Sequence, residues 1–169
     1  MTDRDGLLAF APAFFGLACD RLVDRIVAEG GAYAQRAGLS PPVRSMSSLM
    51  LLDQKPRTVT ELASALRMTH AGAIKAAGLL INAELVERTG DPADRRRKVL
   101  SLTPAGRNAA RETALFLELV RAAYGTLFEE IGVDLYAAVA KLDKALDQKS
   151  FDQRLEEAAL SIEAARSPE

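Results

Sequence analysis

The sequence is poor in the residues that build disulfide frameworks and metal centres. Its 169 residues include one cysteine, Cys19, and one histidine, His70. A single cysteine excludes a disulfide within the chain, and a single histidine excludes the histidine cluster of a catalytic zinc site. The sequence also lacks a Gly-rich phosphate loop, an HExxH motif and a nucleophile elbow. We therefore expect no catalytic residues, no metal site, no cofactor and no enzymatic activity.

Long apolar runs are also missing. The most apolar stretch, Leu7 to Cys19, is too short to span a bilayer and contains Pro12. Residues 3–5 include two aspartates, so this stretch does not follow the positively charged segment that begins a signal peptide. The expectation is a chain without a membrane partner, with a cytoplasmic location as the default.

Charge is distributed unevenly along the chain, although the net charge is only -1. Residues 57–111 contain ten basic and five acidic side chains, whereas residues 112–169 contain six basic and twelve acidic ones. Apolar content of 49% is typical of a soluble globular protein. The central basic block is the part expected to meet phosphate, with the acidic C-terminal part facing away from it.

The basic block contains a predicted β-hairpin. Val86 to Thr89 and Lys98 to Leu102 are strand candidates, and Leu100 and Leu102 share one face of the second. Residues 90–93, Gly-Asp-Pro-Ala, have the composition of a turn. Four successive basic residues follow, and an extended, charged finger of this kind is suited to phosphate binding: Arg95, Arg96, Arg97 and Lys98.

Helix signals lie on both sides of the hairpin. Thr58 and Glu61 have the spacing of a capping box, and Thr69 is a second capping candidate. From Ala71 to Ala83 we predict a helix whose apolar face consists of Ile74, Ala77, Gly78 and Ile81, continuing to Leu85. After the hairpin, Thr103 can cap a long helix that begins with Pro104 and runs to about Ile131. Two short helices followed by a hairpin predict a winged helix-turn-helix, whose second helix enters the DNA major groove.

At this point the residues resemble the MarR (multiple antibiotic resistance regulator) family. The resemblance rests on Val59-Thr60-Glu61-Leu62-Ala63, on Leu85-Val86-Glu87-Arg88, on Asp94-Arg95-Arg96 and on Leu102-Thr103-Pro104-Ala105-Gly106. It implies a mainly α fold: a winged helix-turn-helix with a two-stranded β wing, joined to long N- and C-terminal dimerisation helices.

The resemblance also implies a DNA-binding surface. Thr69, His70, Ala71 and Lys75 would face the major groove. Arg95, Arg96, Arg97 and Lys98 would grip the backbone in or beside the minor groove. Asp94 would shape the wing, either by bonding turn amides or by pairing with Arg96.

The second helix departs from the family's pattern. Ile74 stands where a hydroxyl is common, Gly78 and Leu79 replace a frequent Asp-Arg pair, and Glu84 replaces the glycine that usually ends this helix. Two interpretations follow. Alanine and glycine can allow close approach to the groove, with methyl contacts to thymine and with Lys75 on guanine or phosphate. Alternatively, base recognition has been lost.

The terminal regions are predicted to be helical. Residues 9–37 form one long or broken helix with Gly30-Gly31 as its weak point, and Ser150 begins the last helix with a capping box. Such amphipathic helices predict a homodimer interface, although they can also fold back onto a monomer. The expected divisions are residues 1–40 (N-terminal dimerisation helix), 41–107 (DNA-binding domain) and 108–169 (C-terminal dimerisation helices).

The resemblance further implies that a small aromatic or phenolic effector binds beside the dimerisation helices. Aromatic residues and methionines that can line such a cleft can equally be ordinary core: Phe14, Phe15, Tyr33, Met46, Met50 and Phe116. One branch of the family senses peroxides through a cysteine in the first helix, but a free cysteine such as Cys19 is commonly buried filler.

The function predicted from the sequence is therefore a transcriptional regulator, a ligand-responsive repressor that binds a pseudo-palindromic operator in double-stranded DNA as a homodimer. Two alternatives stay open. One is a winged-helix adaptor for protein partners, and the other is a small-molecule or redox sensor with weak or no specific DNA binding.

Overall fold

The computed structural model describes residues 11–90 and 98–166. A short 3-10 helix, Ala11–Phe14, leads into α1 (Phe15–Arg36), and a second, Val43–Ser45, leads into α2 (Met46–Gln54). The remaining elements are α3 (Val59–Ala65), α4 (His70–Asn82), β1 (Val86–Gly90), β2 (Lys98–Leu102), α5 (Pro104–Ile131), α6 (Leu135–Gln148) and α7 (Phe151–Arg166). The fold is mainly helical with one two-stranded sheet, as predicted.

The chain divides into two compact units, Met1–Glu118 and Leu119–Glu169. Within the first unit, α1 is continuous through Gly30 and Gly31, so the expected weak point does not interrupt the helix. On this helix the Arg25 guanidinium donates to Glu29, one turn away (2.8 Å), and this bond raises the pKa of Arg25.

Helix starts in the first unit follow the predicted caps. Thr58 accepts a hydrogen bond from the Glu61 amide (3.1 Å), and the Glu61 carboxylate accepts one from the Thr58 amide (2.7 Å), completing the capping box. Thr69 caps α4 by accepting from the Gly72 amide (3.1 Å). Because each cap involves residues three apart, the sequence alone was sufficient to predict these helix starts.

The two helices of the helix-turn-helix end in left-handed residues that are not glycine. Arg67 follows α3 with φ 49°, and Glu84 follows α4 with φ 58°. At the end of α4, the Glu84 amide donates to Ile81 (2.9 Å) and the Leu85 amide donates to Leu80 (3.0 Å). This is the Schellman arrangement, in which glycine is preferred because its φ can be positive without steric cost.

The sheet pairs β1 and β2 antiparallel, with Val86 opposite Leu102 and Gly90 opposite Lys98. On the other side of β2, Arg57 and Leu100 exchange backbone hydrogen bonds of 3.2 and 2.8 Å. The Arg57 guanidinium also donates to the Leu51 carbonyl oxygen of α2 (3.3 Å). Arg57 therefore ties β2 to the end of α2.

A close backbone contact joins α4, β1 and α5. The Thr103 amide donates to the Leu85 carbonyl oxygen (3.0 Å), and the Thr103 hydroxyl donates to Glu84 (2.8 Å) while accepting from the Gly106 amide (3.0 Å). A Cβ atom built on Gly106 would lie 1.9 Å from the Leu85 carbonyl oxygen. Only glycine fits at this position, which gives the Leu102 to Gly106 segment its structural role.

The core of the first unit lies between the helix-turn-helix, the sheet and the start of α5. Its buried members are Leu49, Leu52, Leu62, Ala63, Ala73, Ala77, Leu80, Leu85, Val86, Leu100, Leu102, Ala109 and Ala110. On α4 the buried face is Ala73, Ala76, Ala77 and Leu80. The prediction that Ile74 lies on the buried face of this helix was therefore wrong, because Ile74 is 47% exposed.

The second unit comprises the end of α5 together with α6 and α7. Tyr124 and Phe128 stack on α5 with ring centroids 5.7 Å apart. Gly132, with φ 65°, follows Ile131, where the sequence predicts the end of this helix. Ser150 and Gln153 form the expected capping box at the start of α7. Neither α6 nor α7 has a buried residue.

The first prediction concerns Gly106. Gly106→Ala should destabilise the protein by about 3 kcal/mol or prevent folding, because the added methyl collides with a backbone carbonyl that cannot move alone. Thermal unfolding measures this effect. Gly30→Ala is the matched control: it is also a helix glycine, has open space around it, and should gain about 0.5–1 kcal/mol. Equal melting temperatures for the two variants would contradict the assignment.

The second prediction concerns Glu84. Glu84→Gly should stabilise the protein by about 0.5–1 kcal/mol, because glycine tolerates the left-handed backbone at this position. Chemical denaturation provides the measurement. Glu84→Ala removes the same carboxylate but keeps the backbone strain, and should give no gain. If Ala stabilised as much as Gly, the charge rather than the backbone conformation would be responsible.

Candidate nucleic-acid interface

The start of α4 is suited to an anion. Thr69 and His70 are exposed at its N-terminus, where unpaired amides and the helix dipole favour negative charge. Thr69 uses one lone pair to cap the helix, and its hydroxyl proton can still be donated to a ligand. Both residues therefore lie at the exposed N-terminus of α4, and their contact with DNA stays a prediction.

The outward face of α4 carries the other predicted contacts. Ala71 and Lys75 are exposed and lie one turn apart, so they share this face. Ile74 lies beside them, and Gly78 follows one turn later. The helix contains no acidic residue. This face is thus basic and apolar, without a carboxylate that would repel a phosphate backbone.

The packing of α4 against its neighbours keeps this face turned outward. The helix packs against α2, α3 and β1, and Ala73 and Ala77 are completely buried there. Small residues at a helix contact allow the helix axes to approach closely. Burial of this alanine face leaves the opposite face, with Ala71, Ile74 and Lys75, in solvent.

The wing contributes Lys98 within the described residues. Lys98 is exposed at the start of β2, opposite Gly90. Arg88 is also exposed on β1 and was not among the predicted site residues. Four other predicted residues lie outside the part of the chain that the structure describes: Asp94, Arg95, Arg96 and Arg97.

Ile74 is the residue that sequence reasoning misplaced. Two patterns with helical spacing overlap in α4, one through Ile74, Ala77 and Ile81 and the other through Ala73, Ala77 and Leu80. Side-chain bulk favoured the first pattern, but the structure buries the second. The sequence feature that could have indicated the buried face is the run of small residues, since a face of alanines allows helices to pack closely.

The aromatic residues considered for an effector cleft are partly brought together. Tyr33 on α1 stacks on Phe116 of α5 with ring centroids 6.0 Å apart, and Arg36 lies 5.9 Å from the Tyr33 ring centre. Phe116 and Met46 are buried, whereas Tyr33, Phe14 and Phe15 are exposed. Tyr33 thus gives this aromatic pair an exposed edge.

Cys19 is a free cysteine on α1 and is half-buried. In the described residues, no group of three or more His, Cys, Asp or Glu side chains is placed to hold a metal ion. No helix in the same part of the chain combines the length and apolar character needed to cross a membrane.

Comparison with known proteins supplies the family context. Residues 37–97 match the model of the MarR family. No curated protein matches the chain. Among solved structures, the transcriptional regulator BldR from Sulfolobus solfataricus is similar with a TM-score of 0.59, at 20% identity, over 88% of this chain and 99% of that one.

Two Rhodococcus structures are also similar. One is CouR from Rhodococcus jostii bound to p-coumaroyl-CoA, with a TM-score of 0.54, at 25% identity, over 78% of this chain and 88% of that one. The other is a MarR-family transcriptional regulator from a Rhodococcus species, with a TM-score of 0.54, at 23% identity, over 80% and 93% of the two chains. The family match covers the helix-turn-helix, and the similarity in fold to the solved structures covers a larger part of the chain.

Proposed function

We propose that the protein is a MarR-family transcriptional regulator that binds double-stranded DNA sequence-specifically, starting from the match of residues 37–97 to the model of that family. The observation that carries the proposal is the outward face of α4. It presents Thr69, His70, Ala71 and Lys75 to solvent on a helix without an acidic side chain. In a winged helix-turn-helix, this is the face that enters the major groove.

The wing supplies the backbone contacts of the proposed complex. Lys98 lies exposed at the start of β2, next to the three arginines that precede it in the sequence, Arg95 to Arg97. Lysine and arginine contacts to phosphate fix the register of the protein on DNA without reading sequence. Lys98 therefore acts on affinity and salt dependence, whereas the α4 face acts on sequence preference.

We further propose that the protein works as a homodimer on a pseudo-palindromic operator in the cytoplasm. Support comes from the apolar side chains that α6 and α7 leave exposed. Tyr136 is 81% exposed, and Val139, Leu142 and Leu146 follow it on one face of α6. Phe151 is 65% exposed at the start of α7. A second copy can cover such faces, and two-fold symmetry then places two α4 helices on related half-sites.

The proposed mode of regulation is repression that a small aromatic or phenolic effector relieves. CouR, which is similar in fold, was solved with p-coumaroyl-CoA, a ligand with an aromatic acyl group. In this chain, the exposed edge of the Tyr33 ring against Phe116 is a surface on which an aromatic group can stack.

One observation favours a different function. The centre of the α4 face is apolar, because Ile74 is exposed there and Gly78 has no side chain. A winged helix that has become an adaptor for protein partners would show such a face. The adaptor and the regulator differ in one measurable property, the selective binding of DNA.

The experiment that tests the proposed function is binding of the purified protein to its own upstream promoter DNA across a salt series. A scrambled duplex is the control. We expect tight, salt-sensitive and sequence-selective binding, because phosphate contacts release counterions and base contacts distinguish one sequence from another. Binding to neither duplex, with and without candidate aromatic acids, would favour the adaptor.

Lys98→Ala sharpens this test. The substitution should weaken binding to both duplexes and lower the slope of log affinity against log salt by about one unit, since one phosphate contact is lost. Lys144→Ala on α6 is the matched control, because this lysine is also exposed but lies in the acidic C-terminal part of the chain. An unchanged slope for Lys98→Ala would refute the phosphate role of that side chain.

The oligomeric state is predicted separately. Light scattering at micromolar concentration should give twice the chain mass of 18.2 kDa. A charged residue introduced by Leu142→Glu should shift the protein towards monomer, because an unpaired charge is costly at an apolar interface. Lys141→Glu, which changes an exposed neighbour on the same helix, controls for added negative charge. A wild-type protein that scatters as a single chain would refute the homodimer.

A further inference from the structure

Ile74 is half-exposed on α4 and does not belong to the buried core of the first unit. Its side chain is 47% exposed, whereas the buried face of the helix is already supplied by Ala73, Ala76, Ala77 and Leu80. Isoleucine is also a weaker helix former than alanine, because its branched side chain loses rotamer freedom. Neither packing nor helix propensity therefore accounts for isoleucine at this position.

The surroundings of Ile74 leave its side chain prominent. One turn before it are His70 and Ala71 and one turn after it is Gly78, so no other large apolar side chain flanks it along this face. A Cβ atom built on Gly78 would meet nothing within 4 Å, so packing within the protein does not demand glycine there. Glycine inside a helix costs about 1 kcal/mol relative to alanine. The arrangement leaves room for a surface that approaches the helix backbone closely.

We infer that Ile74 reads the C5-methyl group of a thymine in the major groove, and thereby selects an A·T pair in each half-site. The inference rests on the proposed function and deepens it. The thymine methyl is the apolar group that base pairs display in the major groove. An isolated branched alkyl side chain can form an apolar contact with a single methyl group.

The polar residues around Ile74 favour DNA over a protein partner. Lys75 lies next to it and His70 lies one turn earlier, while the helix contains no acidic residue. A stable protein interface needs a contiguous patch of about 800 Å² on each partner, and one exposed isoleucine between Ala71 and Gly78 is far smaller. An apolar side chain beside a lysine, on a helix without carboxylates, fits a groove bordered by phosphates.

The test begins by selecting the preferred duplex from a random DNA pool with the full-length protein. Each thymine of the selected site is then replaced by uracil, which removes the methyl group and leaves the hydrogen-bonding edge unchanged. At one position in each half-site, uracil should lower affinity about fourfold, the effect of losing one buried methyl group. Uracil elsewhere in the site should have little effect.

Substitutions assign this effect to a side chain. Ile74→Ala should bind the thymine duplex about as weakly as the wild type binds the uracil duplex, and should no longer distinguish the two. Lys75→Ala is the contrasting variant: it should weaken binding to both duplexes while the thymine-to-uracil ratio stays near fourfold. Because the ratio compares two duplexes for one protein, a general loss of stability does not change it.

Two outcomes would overturn the inference and leave the proposed function intact. One is selective DNA binding in which no uracil substitution changes the affinity by more than about twofold. The other is a thymine-to-uracil ratio that persists in Ile74→Ala, which would assign the methyl contact to another residue. Failure to select any duplex would instead remove the proposed function itself, so the two failures are distinguishable.

Discussion

The contact between Gly106 and the Leu85 carbonyl holds the winged helix together. Leu85 ends the segment that contains α4, and its carbonyl oxygen accepts a hydrogen bond from Thr103, which begins α5. The backbone of Gly106 closes over the same carbonyl at a distance that excludes any side chain. The position of α4, the start of the sheet and the direction of α5 are therefore fixed at one point. The outward face of α4 depends on this contact, although Leu85 and Gly106 are themselves buried.

Features set by near neighbours in the sequence were predictable. The caps at Thr58, Thr69 and Ser150 each involve residues three apart, so the local sequence is enough to predict them. The buried face of α4 was not predictable in the same way, because it is decided by α2, α3 and β1, which approach from distant parts of the chain. Local spacing allowed two faces, and tertiary packing selected the alanine face.

The exposure of the predicted contact residues was likewise predictable where local sequence decides it, and not where tertiary packing does. Thr69, His70, Ala71, Lys75 and Lys98 are exposed in the structure, as polar or small residues beside caps and strand ends usually are. The predicted apolar face of α4 included Ile74, because bulk and apolar character ordinarily indicate burial. Its exposure adds an apolar element to a surface that composition alone describes as basic. Isoleucine at a position where a hydroxyl is common can therefore be interpreted only once the buried face of α4 is known.

The backbone bridge between Arg57 and Leu100 has a consequence for the solubility of the folded chain. Unpaired strand edges invite the addition of strands from other molecules, and so promote aggregation. At Leu100, β2 is paired on one side with β1 and on the other with Arg57, which protects the middle of that strand. The other border of the sheet is β1, where Glu87 and Arg88 are exposed. Charged side chains on an edge strand oppose the docking of another strand, so neither border of the described sheet offers a template for self-association.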